Sequence, residues 1–201
     1  MILSLGNNCS IAYNLRKESN IFDWIKTNNF NNIANIINNE FNNFININNF
    51  IYVYDTEKHQ LIDDKYDENK NNNILNVYKN IKYDLYYYHD FLSNNINCFL
   101  EFEIKYKRRI KRFYNIIMNN YEIIFIRNEI NYIEKKYIQF FFETIKKINK
   151  NIIIKLYIIY HKYYYIDYNL DNVIIFYYKK IKTDTWKMES FDWQNLLLRS
   201  S

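Results

Sequence analysis

Apolar positions along the 201-residue chain change their spacing from block to block, and each change marks a new element. Ile2 to Leu5 is a short run of apolar or small residues that predicts a buried strand, and Gly6-Asn7-Asn8 stops it. Ile11, Ala12 and Leu15 then share one side of a predicted helix over Cys9 to Lys17, which completes a strand-turn-helix unit. A second helix is expected from about Thr27, where Phe30, Ile33, Ala34, Ile37, Phe41 and Phe44 recur at three- and four-residue steps. Ile51 to Tyr54 reads as a short strand. Residues 56–73 are polar, acidic and without period, so an excursion from the domain is expected there.

The second half alternates strand and helix signals. Leu85 to Tyr88 is an aromatic, strand-like run ending at His89-Asp90. Phe99, Phe102, Tyr106, Ile110, Phe113 and Ile117 then trace one face of a helix. Glu122 to Arg127 predicts a buried strand, and Ile133, Tyr137, Phe141, Ile145 and Ile148 mark the helix after it. Ile152 to Tyr160 and Val173 to Tyr178 supply two more strands, and Phe191 to Leu198 a last short helix. A strand, long helix, strand order demands a crossover between parallel neighbours. The expected class is therefore α/β: one domain over residues 1–201 with a mostly parallel sheet flanked by helices. A chain of this length can bury a large core without staples.

Composition narrows the chemistry. Lys and Arg number 27 against 22 Asp and Glu, and the resulting net charge of +5 supports solubility at least as well as nucleic-acid binding, so a nucleic-acid partner is disfavoured. Cys9 and Cys98 are too far apart in sequence for a disulfide framework or a clustered zinc site, so no metal or other cofactor is expected and a reducing compartment fits. Gly6 is the only glycine, which rules out a phosphate-cradling glycine loop. No basic leader and no apolar run of membrane-spanning length is visible, so the expectation is a cytoplasmic protein without a membrane partner. The excess of Asn, Ile, Lys and Tyr, with no Pro, is what A- and T-rich codons impose and points to a parasite or large DNA virus; for a virus the compartment is the host cytoplasm.

In an α/β sheet, ligands bind beyond the carboxyl ends of the strands, where turns lead into helix amino termini. Cys9 falls at such a place. With Asn8 as cap, its thiol lies in a first helical turn whose amides and dipole favour the thiolate, which is what a nucleophilic cysteine needs; a small apolar residue packing that turn is the plainer alternative. Of the three histidines, His89 ranks first as a base because it follows a strand-like run, His161 second, and His59 lies in the polar excursion. Asp23 and Asp90 are the carboxylates nearest these candidates in sequence, although an aspartate between Phe22 and Trp24 is more often a structural acceptor. Lys105, Lys107, Arg108, Arg109, Lys111 and Arg112 form a basic cluster that helical register assigns to the solvated face. Arg127, ending a buried strand, either clamps an anion in the crevice or forms a buried ion pair with Glu129 or another acid.

The segment Leu3-Ser4-Leu5-Gly6-Asn7-Asn8-Cys9, followed by Ile21-Phe22-Asp23-Trp24-Ile25, resembles the amino-terminal signature of the putative papain-like cysteine peptidase family, with Ile21 where that family has proline. Tyr88-His89-Asp90-Phe91, the basic helix and the strand ending at Arg127 resemble its later motifs. The resemblance implies a nucleophile at Cys9, a base at His89, and hydrolysis of a peptide or isopeptide bond in a protein or peptide substrate. Asp23 or Asp90 would orient the imidazole, while Asn8, Trp24 and Arg127 would meet the substrate. Two alternatives stand beside this reading: a non-catalytic binding module of a virus or parasite built on the same fold, and a transferase acting on sugar or acyl donors.

Overall fold

A computed structural model of the chain describes residues 1–7, 9–15, 19–53, 77–88, 90–91, 98–166, 168–185 and 187–199. The expected excursion at 56–73, together with Tyr54, His59, Asn8 and His89, lies outside the described residues.

Four strands build a parallel sheet in the order β1 (Ile2–Ser4), β6 (Glu122–Glu129), β7 (Ile153–Tyr160) and β8 (Val173–Tyr177). β1 aligns with β6 from Ile2 opposite Ile124 to Ser4 opposite Ile126, and β6 aligns with β7 along its whole length. Seven of the eight β6 residues are buried, so this strand runs through the middle of the core. Its alternation sends Ile123 and Phe125 into the larger apolar cluster and Ile124 and Ile126 into a smaller one on the opposite face. Helices cover both faces. Helix α4 (Lys135–Ile148) follows β6 and leads to β7, packing Phe141 against Phe125 with ring centroids 5.1 Å apart. The short α1 (Ser10–Leu15) and α5 (Trp193–Leu198) bring Ile11 and Leu196 to the smaller cluster.

A second, antiparallel sheet has the order β2 (Ile25–Thr27), β5 (Leu85–Tyr87), β4 (Tyr78–Asn80) and β3 (Phe50–Tyr52). All four are three residues long; β3 and β5 are legible in the apolar and aromatic runs at Ile51 and Leu85, while β2 (Ile-Lys-Thr) and β4 (Tyr-Lys-Asn) lack such a run. The long helix α3 (Cys98–Asn119) carries Phe102, Tyr106, Phe113 and Ile117 into the larger cluster. Phe22, Phe41, Phe44 and Phe113 interlock there at centroid distances of 5.5 to 6.4 Å, nearly all edge to face.

Helix α2 (Phe30–Asn38) begins where Asn29 accepts from the Asn31 N–H and stops earlier than the apolar spacing predicts. The Phe41 N–H reaches back to the Ile36 carbonyl at 2.9 Å and that of Glu40 to Ile37 at 2.9 Å, with Glu40 left-handed at φ 53°. That is a Schellman-type stop made without glycine. Phe41 and Phe44 keep their core positions from the turn that follows. Among the described residues no helix is long and apolar enough to cross a membrane.

Candidate active site

The turn after β1 is fixed by its closest neighbour in space. Gly6 has φ 74°, and a Cβ there would stand 2.8 Å from the Phe22 carbonyl oxygen and 2.9 Å from that of Ile25. Only a residue without Cβ lets the Gly6 turn lie against the Phe22-Asp23-Trp24-Ile25 turn. Asn7 continues the left-handed path at φ 82°, and its Nδ2 donates to the Asn128 carbonyl at the end of β6 at 2.7 Å. The two stretches of sequence that carry the family resemblance are therefore packed on one another, with Cys9 delivered beside them.

Cys9 stands just before α1 rather than inside it: the first helical hydrogen bond runs from the Tyr13 N–H to the Cys9 carbonyl at 3.0 Å. The thiol is half-buried. Its pKa is pushed up to about 12 by burial first, then by the negative charges of Asp90 and Asp23. This corrects the expectation of a thiol lowered by helix amides. A helix of six residues has a weak dipole, and desolvation next to two carboxylates outweighs it.

Those same influences locate the site. Asp23 comes from the turn packed against Gly6 and Asp90 from the segment after β5, and the charges of both bear on the Cys9 thiol. Asp23 accepts from the Asn20 N–H at 2.6 Å, and burial lifts its pKa to about 6 against the opposing pull of that bond, Arg109 and Arg112. It is both a structural acceptor and a charge that bears on Cys9. The Asp90 carboxylate is almost fully buried, accepts from the Tyr106 hydroxyl at 2.9 Å and pairs with Lys105.

Arg109 was not visible as a site residue in sequence. The expectation placed it with its charged neighbours on the solvated face, yet its side chain is buried at 7% exposure, its guanidinium carbon 5.0 Å from the centre of the Tyr106 ring. The signal was spacing: Arg109 follows Tyr106 by three positions and precedes Phe113 by four, which is the buried stripe of α3. Arg112, from the same cluster, donates to the Ser19 carbonyl at 2.8 Å and also bears on Asp23. Lys107, Arg108 and Lys111 are exposed, as expected.

The remaining candidates are dispersed. Arg127 is fully buried and holds Glu129 through Nε at 3.0 Å and Nη2 at 2.8 Å, while donating to the Leu5 carbonyl at 3.1 Å and the Thr27 carbonyl at 2.9 Å. The expected crevice clamp is thus a tie between the two sheets, and the ion-pair reading is the one that fits. Trp24 turns its indole N–H toward the Ser19 hydroxyl at 3.3 Å, within its own turn. His161 shares a 2.5 Å hydrogen bond with Asn128 at the end of β7 and meets the Tyr178 ring edge-on at 5.1 Å. Asn128 in turn contacts Ser10 and Met188, on the side of the smaller cluster. Asn8 and His89 lie outside the described residues, and the charge of Asp90, which follows His89 in sequence, bears on Cys9.

The model of the family described as "Putative papain-like cysteine peptidase (DUF1796)" matches residues 1–162. The chain belongs to this family. The matched stretch contains Cys9, Asp23, Asp90 and Arg109 and ends just past β7. A relative from Acanthamoeba polyphaga mimivirus, described as uncharacterized, is 27% identical over 220 residues, covering 98% of this chain and 97% of its own length. No solved structure matches the chain. The viral relative agrees with a composition of the sort seen in large DNA viruses.

Proposed function

We propose that this family member is a cysteine-dependent hydrolase that cleaves a peptide or isopeptide bond, with Cys9 as nucleophile and His89 as base. The observation that carries the reading is that the charges of Asp23 and Asp90 bear on the Cys9 thiol at the strand-turn-helix corner of a parallel sheet. Burial and those charges favour the protonated thiol, and an imidazolium is the cation that would stabilise its thiolate. His89 immediately precedes Asp90 in sequence and is the histidine nearest the site along the chain.

In this mechanism the Cys9 sulfur attacks the acyl carbon as its proton passes to His89. The C–S bond forms, the C–N bond breaks, and His89 returns the proton to the departing amine. Water then attacks the thioester with His89 as base, releasing the acid and restoring the thiol. Asp90, held by Tyr106 and Lys105, orients the base, and amides of the turn at Asn8 and Cys9 receive the developing oxyanion.

The raised thiol also favours a second reading, a binding module that keeps the fold without the reaction. A panel of fluorogenic peptide and isopeptide substrates separates the two. Under the hydrolase reading, turnover falls by at least about a thousandfold in Cys9→Ala, because a covalent nucleophile has no substitute. Turnover that persists in Cys9→Ala, or its absence from the wild-type protein across the panel, rejects the assignment.

A further inference from the structure

Strands β7 and β8 end side by side, with Tyr160 opposite Tyr177 and the Tyr178 N–H donating to the Tyr160 carbonyl at 2.8 Å. Beyond that point the chain carries Lys162, Tyr163 and Tyr165 after β7, and Lys179 and Lys180 after β8. The three lysines are exposed, and so are the rings: Tyr163 at 79%, Tyr165 at 91% and Tyr177 at 43%. Single exposed aromatics are ordinary on a surface, but these are not scattered. The Tyr163 and Tyr177 rings lie 5.0 Å apart with 34° between their planes, and the Tyr177 hydroxyl donates to the Tyr164 carbonyl at 2.9 Å. Tyr164 is tied down in turn, its hydroxyl donating to the Ile130 carbonyl at 2.6 Å. The ring pair is therefore held at the surface by the ends of β6, β7 and β8. A composition rich in Tyr and Lys spreads those residues along the chain; it does not by itself pair rings at one edge of a sheet.

Among the described residues none of these three lysines forms an ion pair. Asp184, the acidic residue that follows them in sequence, is buried and taken up by the Tyr178 hydroxyl and the N–H groups of Ile181 and Ser190. The patch thus joins positive charge to flat apolar faces, at the carboxyl edge of a parallel sheet where α/β folds bind ligands. The charge calls for an anion, and the rings say which kind. An acidic peptide would use the lysines alone. A single-stranded nucleic acid uses both, since phosphates meet the ammonium groups and unstacked bases lie on the ring faces. A duplex keeps its bases stacked on one another and away from the rings. The net charge of +5 averages this edge with acidic stretches elsewhere, which is why the whole-chain figure disfavours a nucleic-acid partner that the local arrangement fits.

We propose that the β7–β8 edge binds single-stranded nucleic acid, with Lys162, Lys179 and Lys180 on phosphates and Tyr163 and Tyr165 stacking on bases. β1, which leads to Cys9, and β8 stand at opposite ends of the sheet, three strand spacings or roughly 14 Å apart. The proposal is independent of the hydrolase reading and uses no residue of the Cys9 corner.

Fluorescence anisotropy with end-labelled oligo-dT and oligo-rU of about twelve nucleotides, within the span of one small binding domain, tests it. At least one of them binds, and its affinity falls with salt with a logarithmic slope of about −2, from about −0.7 for each of three phosphates. A preference between the two tells DNA from RNA. Lys162→Gln, Lys179→Gln and Lys180→Gln combined lower the affinity at least tenfold and flatten that slope. Tyr163→Leu with Tyr165→Leu lowers it at least fivefold and leaves the slope unchanged, which marks lost stacking and not lost charge. All five positions are exposed, so the thermal melting of the variants stays that of the wild type. Failure of both oligonucleotides to bind at low salt overturns the proposal. So does binding that survives the lysine changes, binding indifferent to the tyrosine changes, or a duplex or polyglutamate peptide that competes as well as the single strand. Cys9→Ala binds as the wild type does; Cys9-dependent turnover without oligonucleotide binding removes this proposal and leaves the hydrolase reading in place.

Discussion

Gly6 and Cys9 are three positions apart, and the demands on them are opposite. At Gly6 the fold asks for the absence of a side chain, because two backbone carbonyls, those of Phe22 and Ile25, fill the space where a Cβ would go. Neither carbonyl can swing aside as a flexible side chain would. Gly6→Ala therefore combines a left-handed alanine with a backbone clash and is expected to cost at least about 2 kcal/mol of stability, read from the shift of the urea midpoint. The same substitution moves the Asp23 turn relative to Cys9, so any activity should fall further than the loss of folded protein accounts for. At Cys9 the fold asks for a side chain whose charged form it opposes: burial, Asp90 and Asp23 hold the thiol near 12. Stability from this group is complete below its ordinary pKa and is lost only as pH rises through the folded value, outside the working range. What the shift governs at neutral pH is reactivity.

The elements that hold the site are joined by one buried ion pair. Arg127 on β6 spans from the Leu5 carbonyl after β1 to the Thr27 carbonyl on β2, with Glu129 neutralising it. Removing one partner from such a pair leaves a buried charge without compensation. Arg127→Met is expected to destabilise by about 3 to 5 kcal/mol, whereas Arg127→Met with Glu129→Leu should recover much of that loss; chemical denaturation of the three proteins checks both. Equal losses in the single and double variants would show that the carbonyl contacts, not the charge pair, join the sheets. The strand ending in arginine was plain in the sequence, but its partners were not. Leu5 and Thr27 are 122 and 100 residues away from it, and no local period encodes that contact. The long elements β6, α4 and β7 were legible for the converse reason, since eight to fourteen residues suffice to show a period. β2 and β4, with three residues each, draw their conformation from pairing with β5.

At the scale of the whole molecule, two sheets are brought together so that the charges of Asp23 and Asp90 bear on the Cys9 thiol. Cys9 leaves the parallel sheet, Asp23 leads into the antiparallel one, and Asp90 leaves it by way of β5. Cys9, Asp23 and Asp90 each stood out in the sequence as candidates, and the resemblance grouped them. The electrostatics were not legible, since a pKa depends on what surrounds a group in space: burial comes first in raising the thiol, and Asp90, which adds to it, lies some eighty positions downstream. Arg109 was hidden in the same way: its neighbours in sequence are solvated, and its neighbours in space are Tyr106 and Asp23.

The most direct test of the central claim is the pH profile of Cys9 alkylation by iodoacetamide, followed by mass spectrometry in the wild-type protein and in His89→Ala. If His89 shares the proton of Cys9, the wild-type rate rises through an inflection near neutral pH and levels off, while His89→Ala shows only a rise toward alkaline pH. Superimposable profiles, both without a neutral inflection, would contradict the account and leave Cys9 as a protonated thiol between two carboxylates.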